Sequence, residues 1–217
     1  MLTLLYFVAA LAHGYLASVL LSQYRRRRNP YVLIPVLVVI ALLLDNFIIG
    51  IGRFLGEGAA LQALNSVRFI THALFPPWLL VFTLEVARRV GLRWAENKII
   101  RAFFWLAALG LTALGVYMDI IHLRLAPKLN GETLRYVNEG FHGPPIPVIV
   151  VILVMIAVGL LLWRKTKSPW VFVGALIEFI CAPLGLRIPI VGQFGEIAFA
   201  GAMVAGEDLA QRESTGQ

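Results

Sequence analysis

Four acidic side chains interrupt stretches otherwise suited only to lipid: Asp45 in VLVVIALLLDNFIIG, Asp119 in LTALGVYMDIIHL, Glu178 in VFVGALIEFICAP and Glu196 in GQFGEIAFAGAMV. An ionisable group at membrane depth costs about 3 kcal/mol on insertion scales unless it faces a protein interior or water, so each marks a candidate site. His72, His122 and His142 add imidazole from three different segments. Imidazole with carboxylate is the equipment of general acid–base catalysis. With an open coordination position it also suits a zinc that activates water for hydrolysis. The catalytic candidates are therefore Asp45, His72, Asp119, His122 and Glu196, while Asn46, Arg68, Glu178 and Gln193 are candidates for holding a substrate. His72, His122 and His142 are the candidate metal ligands.

Spacing narrows these options. Asn65, Arg68 and His72 are three and four residues apart and share one helical face, as do Gln193 and Glu196. Asp119 and His122 also fit one face, where the carboxylate could orient a general-base histidine. No H-x-x-x-H or H-E-x-x-H pair places two ligands on one helix, so a metal would need separate segments to converge. Each polar group also has a structural reading. Asp45 could pair with Arg68, Asp119 with His122 or Arg124, and Glu196 could be a neutral acid hydrogen-bonded between helices. His13, beside Gly14 and Ser18, reads as helix packing, and it differs too much in depth from His72 for the two to ligate a haem. Lys98, Lys128, Lys165 and Lys167 lie outside the apolar segments, which excludes a retinal Schiff base of the usual kind. There is no G-x-S-x-G elbow and no glycine-rich phosphate loop.

The elements that must position these groups are membrane helices. Of 217 residues, 59% are hydrophobic and only 14% charged, with a mean hydropathy of +0.82. That composition belongs to an integral membrane protein. The sequence predicts an all-α, polytopic chain with seven spans near 2–22, 31–53, 67–87, 102–123, 146–163, 169–186 and 189–206. Six is the alternative, because Pro183 and Gly185 interrupt the sixth segment, which with Arg187 could end at the interface or turn back. Basic residues follow the first apolar run instead of preceding it, so residues 2–22 read as a retained span. Residues 1–207 form one transmembrane domain and 208–217 a short polar tail.

Loop charge sets the orientation. Arg25 to Arg28, the group from Arg88 to Arg101, and Arg164, Lys165 and Lys167 all fall on one side of a seven-span chain, which the positive-inside rule places in the cytoplasm. The N-terminus is then outside, the C-terminus cytoplasmic, and the location a plasma or inner membrane. The net charge of +7 resides in these loops, so nucleic acid is excluded as a partner and the lipid bilayer is the expected one. Cys181 stands alone, which rules out an internal disulfide. Residues 28–32 and 167–171, RNPYV and KSPWV, look repeated, yet the same offset aligns Asp45 with Leu184, and helix capping explains both.

With about 1.5 Å of rise per residue, the polar groups fall mostly in the outer half. The inner half is nearly bare, apart from Glu85, which is predicted to pair with Arg88 or Arg89 at the boundary. Pro76 and Pro77, one turn after His72, should kink the third span and free carbonyls beside the site. The expectation is a cavity open to the outside. Three functions use it: an enzyme acting on a lipid or isoprenoid-like substrate, a proton-coupled carrier exchanging protons at Glu178 and Glu196, or an assembly subunit whose acids only fix packing. The enzyme is favoured, since the repeat and the inner polar path that a carrier would use are missing.

Overall fold

The computed structural model describes residues 1–215; the expected tail is helical as far as Thr215, and Gly216 and Gln217 lie outside the described residues. Eight helices form the body: α1 Leu2–Arg27, α2 Leu33–Leu55, α3 Ala59–Leu74, α4 Leu79–Arg89, α5 Lys98–Val116, α6 Ile146–Thr166, α7 Trp170–Gly185 and α8 Pro189–Thr215. Two strands, β1 Leu125–Asn130 and β2 Thr133–Asn138, sit between α5 and α6. Six stretches are long and apolar enough to cross a membrane: Leu2–Arg27, Pro30–Leu55, Ala59–Arg89, Lys98–Ile121, Ile146–Thr166 and Pro189–Glu213. The sixth expected span, α7, is a shorter apolar helix of 16 residues. Leu4, Leu11, Phe103, Leu106, Ile180 and Phe194 point outward and exposed, a surface that only lipid solvates well. The chain is a multi-pass helical membrane protein.

The bundle has two unlike ends. At one, α1, α4 and α6 finish in Arg25–Arg27, Arg88–Arg89 and Arg164–Lys165, where positive charge also complements the helix C-termini. Lys165 Nζ donates to the Gly91 carbonyl at 2.6 Å, which ties two of these clusters together. We call this the arginine end. The opposite end carries the β-hairpin.

Residues 124–145 lie between the expected fourth and fifth spans, and the hairpin they form is the main departure from an all-helical reading. Its cause is local. The register leaves Gly131 and Glu132 as a two-residue loop, and Gly131, with φ 59°, supplies the positive φ that the first position of such a hairpin loop requires. The strands pair antiparallel from Leu125 with Asn138 to Asn130 with Thr133. Leu134 and Tyr136 project from β2 into a small apolar core with Ile48 of α2 and Leu61 of α3. A Cβ on Gly52 of α2 would collide with the Leu134 carbonyl, so glycine is what lets the strand lie on the helix. The Tyr136 amide donates to Asn65 Oδ1 at 3.2 Å, and the Gly58 amide donates to the Tyr136 hydroxyl, also at 3.2 Å. Glu132 at the tip pairs with the Met1 amine and, at 2.9 Å, with Arg53.

Helix α3 starts at Ala59, well before the expected boundary at 67, and leaves only Gly56–Gly58 as the turn from α2. Gln62, Asn65 and Ser66 lower the hydropathy of this stretch without opposing helix, which is why the boundary was misplaced. The Pro76–Pro77 break falls where expected. Both prolines lack the N–H that would bond the carbonyls of His72 and Ala73, and a 3₁₀ turn, Pro76–Trp78, joins α3 to α4. Beyond the break every residue from Leu79 to Ala87 is buried, so α4 is the central helix of the arginine half. Before it, α3 buries only Leu61, Asn65 and Ala73. Its other residues border open space.

The capping expected at RNPYV forms, and the one expected at KSPWV does not. Asn29 Oδ1 accepts from the Tyr31 amide at 3.2 Å ahead of Pro30, and Asn97 Oδ1 accepts from the Ile99 amide at 2.8 Å to start α5. Before α7, Pro169 occupies the cap position and no side chain caps it.

Candidate functional site

The site grows from one face of α3. Arg68 Nε donates to Asp45 Oδ1 of α2 at 2.7 Å, with each side chain 11% exposed. Arg68 Nη1 donates to Asn65 Oδ1 at 2.5 Å, and Asn65 Nδ2 donates to the Leu61 carbonyl at 2.7 Å. Since Asn65 Oδ1 also receives the Tyr136 amide, the hairpin backbone, Asn65, Arg68 and Asp45 form one continuous network. Such a network holds the guanidinium in a fixed place.

One turn further along α3, His72 Nδ1 lies 3.0 Å from the Arg68 carbonyl. A carbonyl only accepts, so Nδ1 carries the proton, and in the neutral ring Nε2 is left with a free lone pair. The chain across from it departs from α-helix. Residues Tyr117–Ile121 form a π-helical turn at the end of α5, and Asp119 sits in that turn. Asp45, Arg68, His72 and Asp119 line a chamber of about 180 Å³ whose remaining wall is largely apolar, from Phe69, Pro145, Pro147 and Val148.

A second chamber of about 250 Å³ shares Asp45, Arg68 and His72 with the first. It continues to Tyr6 of α1, Arg135 of β2, Glu178 of α7, and Gln193 and Glu196 of α8. Its size suits a polar head group and not a whole lipid. Glu178 and Gln193 are each 7% exposed, and among the described residues Glu178 Oε2 and Gln193 Oε1 have no hydrogen-bond partner. Gly195 makes room for the first of these, since a Cβ there would stand 2.6 Å from Glu178 Oε2. Glu196 Oε2 accepts from Asn46 Nδ2 at 3.2 Å, the same nitrogen that donates to the Leu42 carbonyl at 2.9 Å. Among the described residues, Asn46 Oδ1 and Arg135 Nε are likewise buried without partners. Orphaned polar atoms are rare in folded interiors.

Of the sequence candidates, Asp45, Arg68, His72, Asp119, Glu178, Gln193 and Glu196 therefore line the two chambers, and Asn46, which lines neither, donates to Glu196. His122 does not. The π turn ends the helix before it, its Nδ1 bonds the Tyr117 carbonyl at 2.8 Å, and its ring packs on Tyr117 with centroids 4.4 Å apart. His142 is exposed in the segment leading to α6. The three proposed metal ligands are thus dispersed, and among the described residues no three His, Cys, Asp or Glu side chains are grouped to hold a metal ion. His13 is fully buried, with Nδ1 at 2.8 Å from the Ala9 carbonyl and, among the described residues, no partner for Nε2.

Two features escaped the sequence reading. Arg135 belongs to a loop, where an arginine carries no hydropathy signal; only the alternation in TLRYVN, with Leu134 and Tyr136 turned to α2 and α3, would have pointed it at the cavity. The arginine end, expected to be bare apart from Glu85, holds a second buried pair. Arg88 does bind Glu85 at 2.8 and 2.9 Å as expected. In addition, Glu207 of α8 is fully buried, accepting from Arg89 Nη1 at 2.7 Å and from Gln211 Nε2 at 2.9 Å. Gln23 of α1 joins α8 there through Val204 and Gln211. The last span was placed no further than 206, which left Glu207 outside it.

Compared with protein families, with curated proteins and with solved structures, the chain matches none.

Proposed function

We propose that the chain crosses the membrane seven times, with the hairpin end outside and the arginine end in the cytoplasm, and that its cavity accepts a lipid or isoprenoid-like amphiphile and performs acid–base chemistry on it. The observation that carries this reading is the shared wall: His72 borders both an apolar chamber and a polar one. An amphiphile seated across them would bring the junction of its head and tail to His72 Nε2. Nε2 is the base, Arg68 stabilises negative charge that develops on the substrate, and Asp45 keeps Arg68 in place. Asp119 on the apolar side and Glu196 on the polar side are the carboxyl groups available to return a proton. The positive-inside distribution supports the orientation.

The test is turnover. The protein is reconstituted in nanodiscs with a total lipid extract, and products are followed by mass spectrometry. His72→Ala is expected to lower turnover at least about 100-fold, the usual worth of a general base, with little change in melting temperature. Absence of any turnover, or full activity in His72→Ala, removes the enzyme reading. Orientation is checked separately with impermeant thiol reagents: Lys128→Cys should label from outside and Arg93→Cys only after permeabilisation.

One observation favours a carrier as the second reading, namely the unpartnered Glu178 carboxyl beside Glu196 in a single chamber. It predicts that Glu178→Gln abolishes proton-coupled uptake while His72→Ala spares it. The Arg89–Glu207 pair closing the far end of the bundle weighs against it.

A further inference from the structure

The polar chamber is divided by the kind of hydrogen-bonding group each element supplies. From α7 and α8 come acceptors in surplus: Glu178 Oε2 and Gln193 Oε1 are both buried with no donor among the described residues. From the hairpin comes the reverse. Arg135 Nε is a buried donor without an acceptor, and no carboxylate pairs with Arg135 among the described residues, whereas Arg68 is already held by Asp45. Acceptors left empty on one side and a cation left empty on another cost free energy until a ligand fills both.

Building on the amphiphile reading above, we infer that the head group this site recognises is zwitterionic. A primary ammonium would be received by Glu178 and Gln193, and a phosphate-type anion by Arg135. An ammonium offers three N–H donors and no acceptor, which matches a wall made of oxygens. A guanidinium suits a phosphate oxygen pair better than a lone lysine would. A head group lacking the amine leaves buried oxygens unpaired, and such a mismatch is rejected more strongly than a simple loss of contact. The hairpin takes on a second role, since it delivers the anion-binding arginine through the strand that is clamped to Gly52 and Asn65.

Binding, not turnover, tests this. The purified protein is titrated with short-chain phosphatidylethanolamine, phosphatidylcholine and phosphatidylglycerol in mixed micelles, and retention is read by native mass spectrometry. Phosphatidylethanolamine should bind about tenfold more tightly than either of the others, as expected for losing one charge-assisted hydrogen bond. Phosphatidylcholine keeps the charge but has no N–H to donate. In Glu178→Gln and, independently, Gln193→Leu the preference should shrink severalfold, while Arg135→Gln should weaken phosphatidylethanolamine and phosphatidylglycerol alike. Equal retention of the three lipids by the wild type overturns the inference, as does an unchanged preference in both wall variants that remain folded. Turnover lost in His72→Ala with no head-group preference would refute only this inference. Preference without any turnover would refute only the enzyme reading.

Discussion

The two ends of the bundle both bury charge, and they treat it oppositely. At the arginine end Glu207 is fully enclosed, and both of its oxygens are engaged, one by Arg89 and the other by Gln211. At the hairpin end Glu178 is nearly as buried, yet it borders a cavity and has an oxygen with no partner. A satisfied charge between helices fixes their packing, whereas an unsatisfied one beside open space is a cost that packing alone does not explain. The contrast separates a buried acid with both oxygens engaged from one that leaves an oxygen open beside a cavity. Burial by itself does not distinguish them.

The sharpest way to break this comparison is to remove the carboxylate at each end and compare stability. Glu207→Ala leaves the Arg89 guanidinium enclosed without its counter-charge and should cost about 3–5 kcal/mol, read as a fall in melting temperature in detergent. If Glu207→Ala is as stable as the wild type, the arginine end is no structural lock. Next in size is Gly52→Ala. The added methyl collides with the Leu134 carbonyl, so α2 and β2 must separate, at about 1–3 kcal/mol for an overpacked contact. A nitroxide pair on Lys128 and Glu57 should report the hairpin moving away from the α2–α3 turn, and an unchanged distance distribution would contradict this account of docking.

At the cavity, Glu178→Gln removes no hydrogen bond from Oε2 and should change stability by less than about 1 kcal/mol. A loss as large as that for Glu207→Ala would erase the distinction between the two acids. The smallest effect concerns the hairpin tip. The Met1 amine, with Arg53, holds the Glu132 carboxyl below its usual range. A carboxyl whose pKa is lower folded than unfolded contributes stability above its unfolded pKa and loses it as pH falls through the folded value. Spin-label mobility at Lys128 should therefore be constant at neutral pH and rise only below the ordinary glutamate range. Mobility that rises instead between pH 7 and 6 would assign the tip to another group.

Much of the site was legible because depth and spacing are one-dimensional quantities. Asp45, Arg68 and His72 could be matched by counting residues along α2 and α3, and the proline pair announced the break between α3 and α4. What was illegible came from events that counting does not register. The π turn after Val116 adds a residue to one helical turn and sends Asp119 and His122 in different directions, although their spacing of three had suggested one face. Arg135 reaches the cavity through strand pairing in a segment that hydropathy reads as loop. Glu207 sits beyond the point where apolar character fades, but α8 continues because Gln211 and Arg89 satisfy it within the bundle.

Helix α7, at 16 residues, is about 24 Å long, and the hydrocarbon core of a bilayer is about 30 Å thick. On the seven-span reading proposed above, the difference is met by the lipid. Around the turn that joins α7 to α8, where Leu184, Leu186, Ile188 and Ile190 are exposed, the leaflet must thin or its head groups must sink, at a cost of a fraction of a kcal/mol per Å. Gly185, Leu186 and Pro189 of that same turn border the polar chamber. On the proposed reading the membrane is deformed at the rim of the cavity, and local bilayer thickness becomes a variable that sets how far a head group must travel to enter.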